Sequence, residues 1–169
     1  MLFAPSLRDG DKPMTDLPII HLRRIEANII KPIYEAMVAA LGEEKARKIL
    51  QDAIVKNAVE QGRGLAAQLD RPNDLAGFAS LLPNWSKEDA LRIEVLEQSD
   101  ESFDFNVTRC RYAEMYREMG LAEIGHILSC GRDGAMCQGF NPDIDFQRSQ
   151  TIMQGAPHCD FRHRLNKAD

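Results

Sequence analysis

From Leu22 onward, apolar residues recur at three- and four-residue steps: Leu22, Ile25, Ile29, Ile33, Met37 and Leu41. That spacing predicts one face of an amphipathic helix. Gly42 closes it, and Glu43 and Glu44 supply first-turn negative charge to a second helix carrying Ala46, Ile49, Leu50, Ala53, Ile54 and Ala58. The short link predicts an antiparallel helical pair at the N-terminal end. Gly62 and Gly64 weaken the end of the second helix, although Leu65 and Leu69 can carry it to Asp70. Asn73 or Asp74 caps a short helix running to Leu82, and Pro83 then closes the helical half.

Beyond Pro83 the period changes from a helical one to two. Leu91, Ile93 and Val95 alternate with Arg92 and Glu94, and Phe103, Phe105 and Val107 alternate with Asp104 and Asn106. Two strands around a turn at residues 99–101 follow from that pattern. Tyr112, Met115, Tyr116 and Met119 return to helical spacing, Gly120 interrupts, and a second helical piece covers residues 121–128. Two more strands are expected over 144–150 and 159–165. The sum is an α+β fold, an antiparallel sheet of about four strands with helices packed on one face.

Residues 1–16 carry Pro5, Gly10 and Pro13 without periodicity and are expected to form a flexible tail, leaving 17–169 as a single domain. With 44% apolar and 28% charged residues the composition is that of an ordinary globular chain, and the net charge of -5 argues against nucleic acid as a partner. No apolar run is long enough for a bilayer and no signal peptide is recognisable, so no membrane partner and a cytoplasmic location are expected. Ile19, Ile20 and Ile30 lie off the main stripe of the first helix and are the candidates for burying a second subunit in a homodimer.

Candidate chemistry is concentrated late in the chain, where Cys110, Cys130, Cys137 and Cys159 follow one another at spacings of 20, 7 and 22 residues. Three readings stand: buried small hydrophobes, metal ligands, or a reactive thiol. Structural zinc favours cysteines two to four residues apart, so the expectation is no cofactor; if zinc binds, Cys110, Cys130 and Cys159 are its ligands. Arg109 stands beside Cys110 and Arg162 close to Cys159. Asp133 follows Cys130 by three residues, adjacent on one face if the segment is helical.

Strand alternation sorts these residues further. Ile144 and Phe146 mark the inner face of the third strand, and Arg148 and Gln150 continue it. On the fourth strand Cys159, Phe161 and Leu165 share a face, while His158, Asp160, Arg162 and Arg164 take the other. His158-Cys159-Asp160 is therefore poor geometry for a triad. The alternation predicts instead a pocket where Arg148 and Cys159 meet Cys130, Asp133 and Cys110, with His158 as a second-rank candidate. Arg148, Arg162 and Arg109 are the candidate anion-binding residues.

The stretches CRYAEMYREMGLAEIG, LSCGRD, GFNP and FQRSQTIMQGAPHCDFR make the chain resemble the L-2-amino-thiazoline-4-carboxylic acid hydrolase family, and Gly-x-x-x-Cys-Asp-Phe-Arg, from Gly155 to Arg162, is the most specific part. The resemblance implies hydrolytic opening of a cyclic amidine to a carbamoyl-cysteine, on the way to L-cysteine. The motif positions are Cys110, Cys130, Asp133, Gly155, Cys159, Asp160, Phe161 and Arg162. On that chemistry Arg148 holds the substrate carboxylate, Cys159 or Cys130 attacks the amidine carbon, and Asp133 or Asp160 handles protons. The rival expectation is a non-catalytic small-molecule sensor whose pocket the cysteines merely line.

Overall fold

The computed structural model describes residues 17–166, so the expected tail over residues 1–16 lies outside it. Helix α1 (Ile19–Leu41) and helix α2 (Glu43–Gln68) are joined at Gly42, whose φ of 83° lies in the region only glycine enters freely. The start of α1 meets the end of α2 where Arg23 faces Gln61, as an antiparallel pair requires. The apolar stripe read from the sequence does not face the core, however. Ile20, Arg23 and Ala27 are the buried positions of α1, and Ile25, Ile29 and Ile33 are 52, 59 and 54% exposed. Ile20 lies in the core, and Ile19 and Ile30, partly buried, pack against it. The misreading has one cause: the inward face carries an arginine and an alanine, and hydropathy alone selects the greasier outer face.

Helix α2 does not weaken at its glycines either. A β-carbon at Gly62 would stand 2.2 Å from the carbonyl oxygen of Met136, and one at Gly139 would stand 2.0 Å from that of Val59. The glycines thus let α2 and α7 (Arg132–Phe140) touch backbone to backbone. Between them, Asp74 accepts from the Gly77 N–H at 2.8 Å and caps α3 (Leu75–Ala79) as expected, but Pro83 opens a further short helix, α4 (Pro83–Ser86). Proline suits a first helical turn because its missing N–H has no partner to lose there.

Strands β1 (Leu91–Gln98) and β2 (Ser102–Cys110) form the expected hairpin, closed by Ser99 N–H donating to the Ser102 carbonyl. Helix α5 (Arg111–Glu118) follows at once, then α6 (Ala122–Gly125), which widens into a π-helical turn, His126–Cys130, before α7. Strands β3 (Ile144–Gln147) and β4 (Cys159–Leu165) complete an antiparallel sheet of order β1-β2-β4-β3. The fold is α+β, with the sheet as four antiparallel strands. No helix among the described residues is long and apolar enough to cross a membrane.

Register decides what the sheet presents to the helices. Val107 pairs with Cys159, Phe105 with Phe161, and Phe103 with His163, which also pairs with Phe146. His163 is 1% exposed, stacked on Phe103 and Phe105, and its Nδ1–H donates to the Phe103 carbonyl at 2.8 Å. It is a core residue with its polar need met. Two apolar clusters result, one from α1, α2, α5, α6 and the π turn, the other from the sheet, α3 and α7. Leu91, Cys110 and Ile152 pack against both.

Candidate active site

A cavity of about 70 Å³ lies at the seam between the clusters, and its wall includes Cys110, Cys130, Asp133, Arg148 and Cys159. Each comes from a different element. Cys110 ends β2 and caps α5, Cys130 ends the π turn, Asp133 sits in the first turn of α7, Arg148 follows β3, and Cys159 begins β4. Arg148, the first residue past β3, and Cys159, the first of β4, both face the cavity. Asp133 stands where the positive end of α7 favours a carboxylate.

Arg148 anchors the floor. One guanidinium nitrogen donates to Asp133 Oδ2 and the other to the Cys130 carbonyl at 2.9 Å, while Phe146 and Phe161 offer ring faces 5.5 and 5.2 Å from its central carbon. Its side chain is 9% exposed. Burial pushes the Asp133 carboxyl above the ordinary carboxylate value, opposed by the Arg148 charge.

All four thiols are held up. Burial lifts Cys110 to about 11, against backbone N–H donors from Ala113 and Tyr112 at the start of α5. It also pushes Cys130, Cys137 and Cys159 upward. Cys159 has the Ile152 N–H donating to its sulfur at 3.2 Å, which fixes the side chain and favours negative charge there. Cys137 is outside this cavity and lines an adjoining apolar one with Phe78, Phe105 and His163. Although Cys110, Cys130 and Cys159 border one space, among the described residues no three His, Cys, Asp or Glu side chains group as metal ligands would.

The remaining sequence candidates lie away from the cavity wall. Arg109 is turned to the surface, bound to Glu114 at 3.0 Å and Asp89 at 3.1 Å. Arg162 takes the opposite sheet face, where it donates to the Phe105 carbonyl at 3.1 Å and to Asn106 at 3.1 Å. Asp160 shares that face. Burial acts to raise its carboxyl, but the Ser149 hydroxyl at 2.6 Å and the Gln150 N–H at 2.8 Å hold it below the ordinary range. His158 meets the Gln150 amide at 3.0 Å. A period of two puts neighbours of Cys159 on the far side, which is why these residues are not brought to the thiols.

Sequence reasoning missed the mouth. Arg23, Gln61, Trp85 and Met136 border both the inner cavity and an outer groove of about 460 Å³ between α1, α2 and α4. Behind them Arg132 donates to Glu26 at 3.1 Å, Asn57 at 3.0 Å and the Leu128 carbonyl at 2.8 Å. The available signal was polar: Asn57 and Gln61, four residues apart, flank the buried face of α2.

A family model described as L-2-amino-thiazoline-4-carboxylic acid hydrolase matches residues 22–163. Among curated proteins none matches the chain in sequence. Among solved structures, the phenol-responsive sensory domain of the transcription activator PoxR, determined with phenol, aligns with a TM-score of 0.50 at 15% identity, covering 92% of this chain and 78% of that one. At that identity the likeness speaks for the fold alone.

Proposed function

The chain belongs to the L-2-amino-thiazoline-4-carboxylic acid hydrolase family, and from that premise we propose that it hydrolyses a small cyclic amidine inside the cysteine-lined cavity. One observation carries the reading: Cys110, Cys130, Cys159, Asp133 and Arg148, drawn from five elements, border a single enclosed space. A packing role for each thiol separately does not call for a buried ion pair beside them, because burying charge is costly unless function or folding demands it.

The chemistry follows from the protonated thiols. The thiolate is the attacking form, so a thiol held protonated by burial has to give up its proton as the sulfur binds the amidine carbon, and that proton passes to the amidine nitrogen as C=N opens. Cys159, oriented by the Ile152 N–H, is assigned as the attacking group. Collapse of the tetrahedral carbon breaks the ring C–S bond, restores C=N, and delivers the nitrogen's proton to the departing ring sulfur. Asp133, its carboxyl raised by burial, relays that proton. Water then adds across C=N, the bond to Cys159 breaks, and the sulfur regains a proton. The product is a carbamoyl-cysteine and the thiol is restored.

The test is ring opening of L-2-amino-thiazoline-4-carboxylate, followed by mass as the gain of one water. Cys159→Ser is expected to lower the rate by two orders of magnitude or more, about the contribution of a positioned catalytic group. Full activity in Cys159→Ser, Cys130→Ala and Cys110→Ala alike would end the covalent route. The second reading is a small-molecule-binding sensor, favoured because, among the described residues, no histidine or lysine lines the cavity to draw the proton from a thiol. Ligand binding without turnover of any cyclic amidine would establish it instead.

A further inference from the structure

The guanidinium groups at the cavity differ in how fully they are engaged. Arg148 gives its two terminal nitrogens to Asp133 and the Cys130 carbonyl. Arg132 gives Nε, Nη1 and Nη2 to Leu128, Asn57 and Glu26. Arg23 shares that same Glu26, through Nη1 at 2.9 and 2.8 Å, and its Nη2 meets Gln61 only at 3.5 Å. Arg23 and Arg132 are 9 and 6% exposed, so two buried cations lean on one carboxylate.

Charge does not close in this region. The charged side chains lining the groove and the cavity are Arg23, Glu26, Lys87, Arg132, Asp133 and Arg148, four cations against two carboxylates. With the exposed Lys87 set aside, one buried positive charge remains without an anion of its own. A low-dielectric site that keeps a surplus charge favours a ligand carrying the opposite one. Arg23 is the group with donors to spare, and it stands at the mouth, on both the groove and the inner cavity. The inner chamber is small, so the polar end of a ligand whose ring fills it is left beside Arg23.

We infer that Arg23, at the mouth of the cavity, is the residue that binds the charged carboxylate end of the ligand, its guanidinium held between Glu26 and Gln61. The inference rests on this cavity being the ligand site of the proposed function, and it moves the carboxylate contact away from Arg148. Arg148 is then free to keep Asp133 in place throughout turnover.

Calorimetric titration of the full chain with thiazole-4-carboxylate and its carboxamide, neither of which can be ring-opened as an amidine, tests this apart from catalysis. The carboxylate is expected to bind at least about 10-fold more tightly than the amide, and Arg23→Gln to weaken the carboxylate alone by about 10- to 100-fold, the worth of a charge-assisted hydrogen bond. Arg23→Lys should recover part of that loss. Glu26→Gln, which keeps an oxygen acceptor for Arg23 while removing the carboxylate that competes for its charge, should preserve the carboxylate preference. Equal binding of the two probes, binding of neither, or parallel weakening of both probes in Arg23→Gln overturns the inference. If Arg23→Gln does not fold, loss of carboxylate preference in Glu26→Gln overturns it in its place. Carboxylate preference without ring opening removes the hydrolase reading and leaves this one; ring opening without preference does the reverse.

Discussion

Asp133→Asn removes a charge while keeping the side chain's shape, and the consequence for stability can be worked out. Arg148, 9% exposed, retains the Cys130 carbonyl at 2.9 Å and the faces of Phe146 and Phe161. Removing one partner of a buried pair costs about 3–5 kcal/mol, and the remaining supports place the loss near the lower end. About 3 kcal/mol corresponds to a fall of roughly 6–12 °C in Tm for a chain of this size. Arg148→Met should cost less, because a stranded carboxylate can take a proton whereas a stranded guanidinium cannot lose one.

That asymmetry has a pH signature. Without Arg148 the folded carboxyl of Asp133 rises further above its unfolded value of about 3.9. The folded chain then holds a proton that the unfolded chain has released, so the deficit of Arg148→Met is smallest in acid and grows as pH rises toward the folded pKa. Urea unfolding of the parent, both single variants and the double variant, at about pH 5 and about pH 8, gives a double-mutant cycle. At the higher pH the coupling should be about 2 kcal/mol or more, and the double variant should be more stable than Asp133→Asn alone. Coupling under about 0.5 kcal/mol, or Asp133→Asn milder than Arg148→Met at both pH values, would refute the reasoning.

Three further outcomes are expected. In the absence of ligand all four cysteines should react with a thiol reagent far more slowly than free cysteine at neutral pH, since burial holds Cys110 at about 11 and lifts the rest; one thiol reacting as fast as free cysteine contradicts this. Burial holds His163 and His126 below the ordinary 6.5, so the unfolded chain takes up protons the folded one refuses and stability should fall as pH drops below that value; His163→Phe should flatten part of that slope in denaturant titrations, and an unchanged slope argues against it. Gly64→Ala should raise Tm, nothing lying within 4 Å of the added carbon, while Gly62→Ala and Gly139→Ala should each cost about 1–3 kcal/mol despite alanine's better helix propensity; equal effects at Gly62 and Gly64 would deny the close helix contact.

The hairpin, the fourth strand and the inward face of Cys159 were legible because a period of two is short and leaves little freedom of phase, whereas the third strand stops at Gln147 rather than Gln150, and Gln150 turns to His158 and Asp160 instead of continuing the inner face. The same rule kept Asp160, Arg162 and His158 away from the thiols. The face of α1 was not legible, because its core side carries Arg23, whose partners Glu26 and Gln61 complete it only in three dimensions. Helix α7 was glimpsed only as a relation between Cys130 and Asp133; RDGAMCQGF has no clear apolar stripe, and its glycines gain their meaning from α2. Arg132 illustrates the wider limit, since nothing local in the sequence ties it to Asn57 or Glu26.

The glycine contact between α2 and α7 has a consequence for how this scaffold can diversify. With Gly62 against Met136 and Gly139 against Val59, the two backbones are already at closest approach, so α7 has no room to shift inward. Asp133 rides on that helix, and its position relative to α2 is therefore set by main-chain contact rather than by side chains that drift. Descendants of this fold seeking a new ligand would keep the roof and change Arg23, Trp85 or Met136 at the rim. The proposed reaction residues would then be inherited as a block, and ligand choice would vary around them.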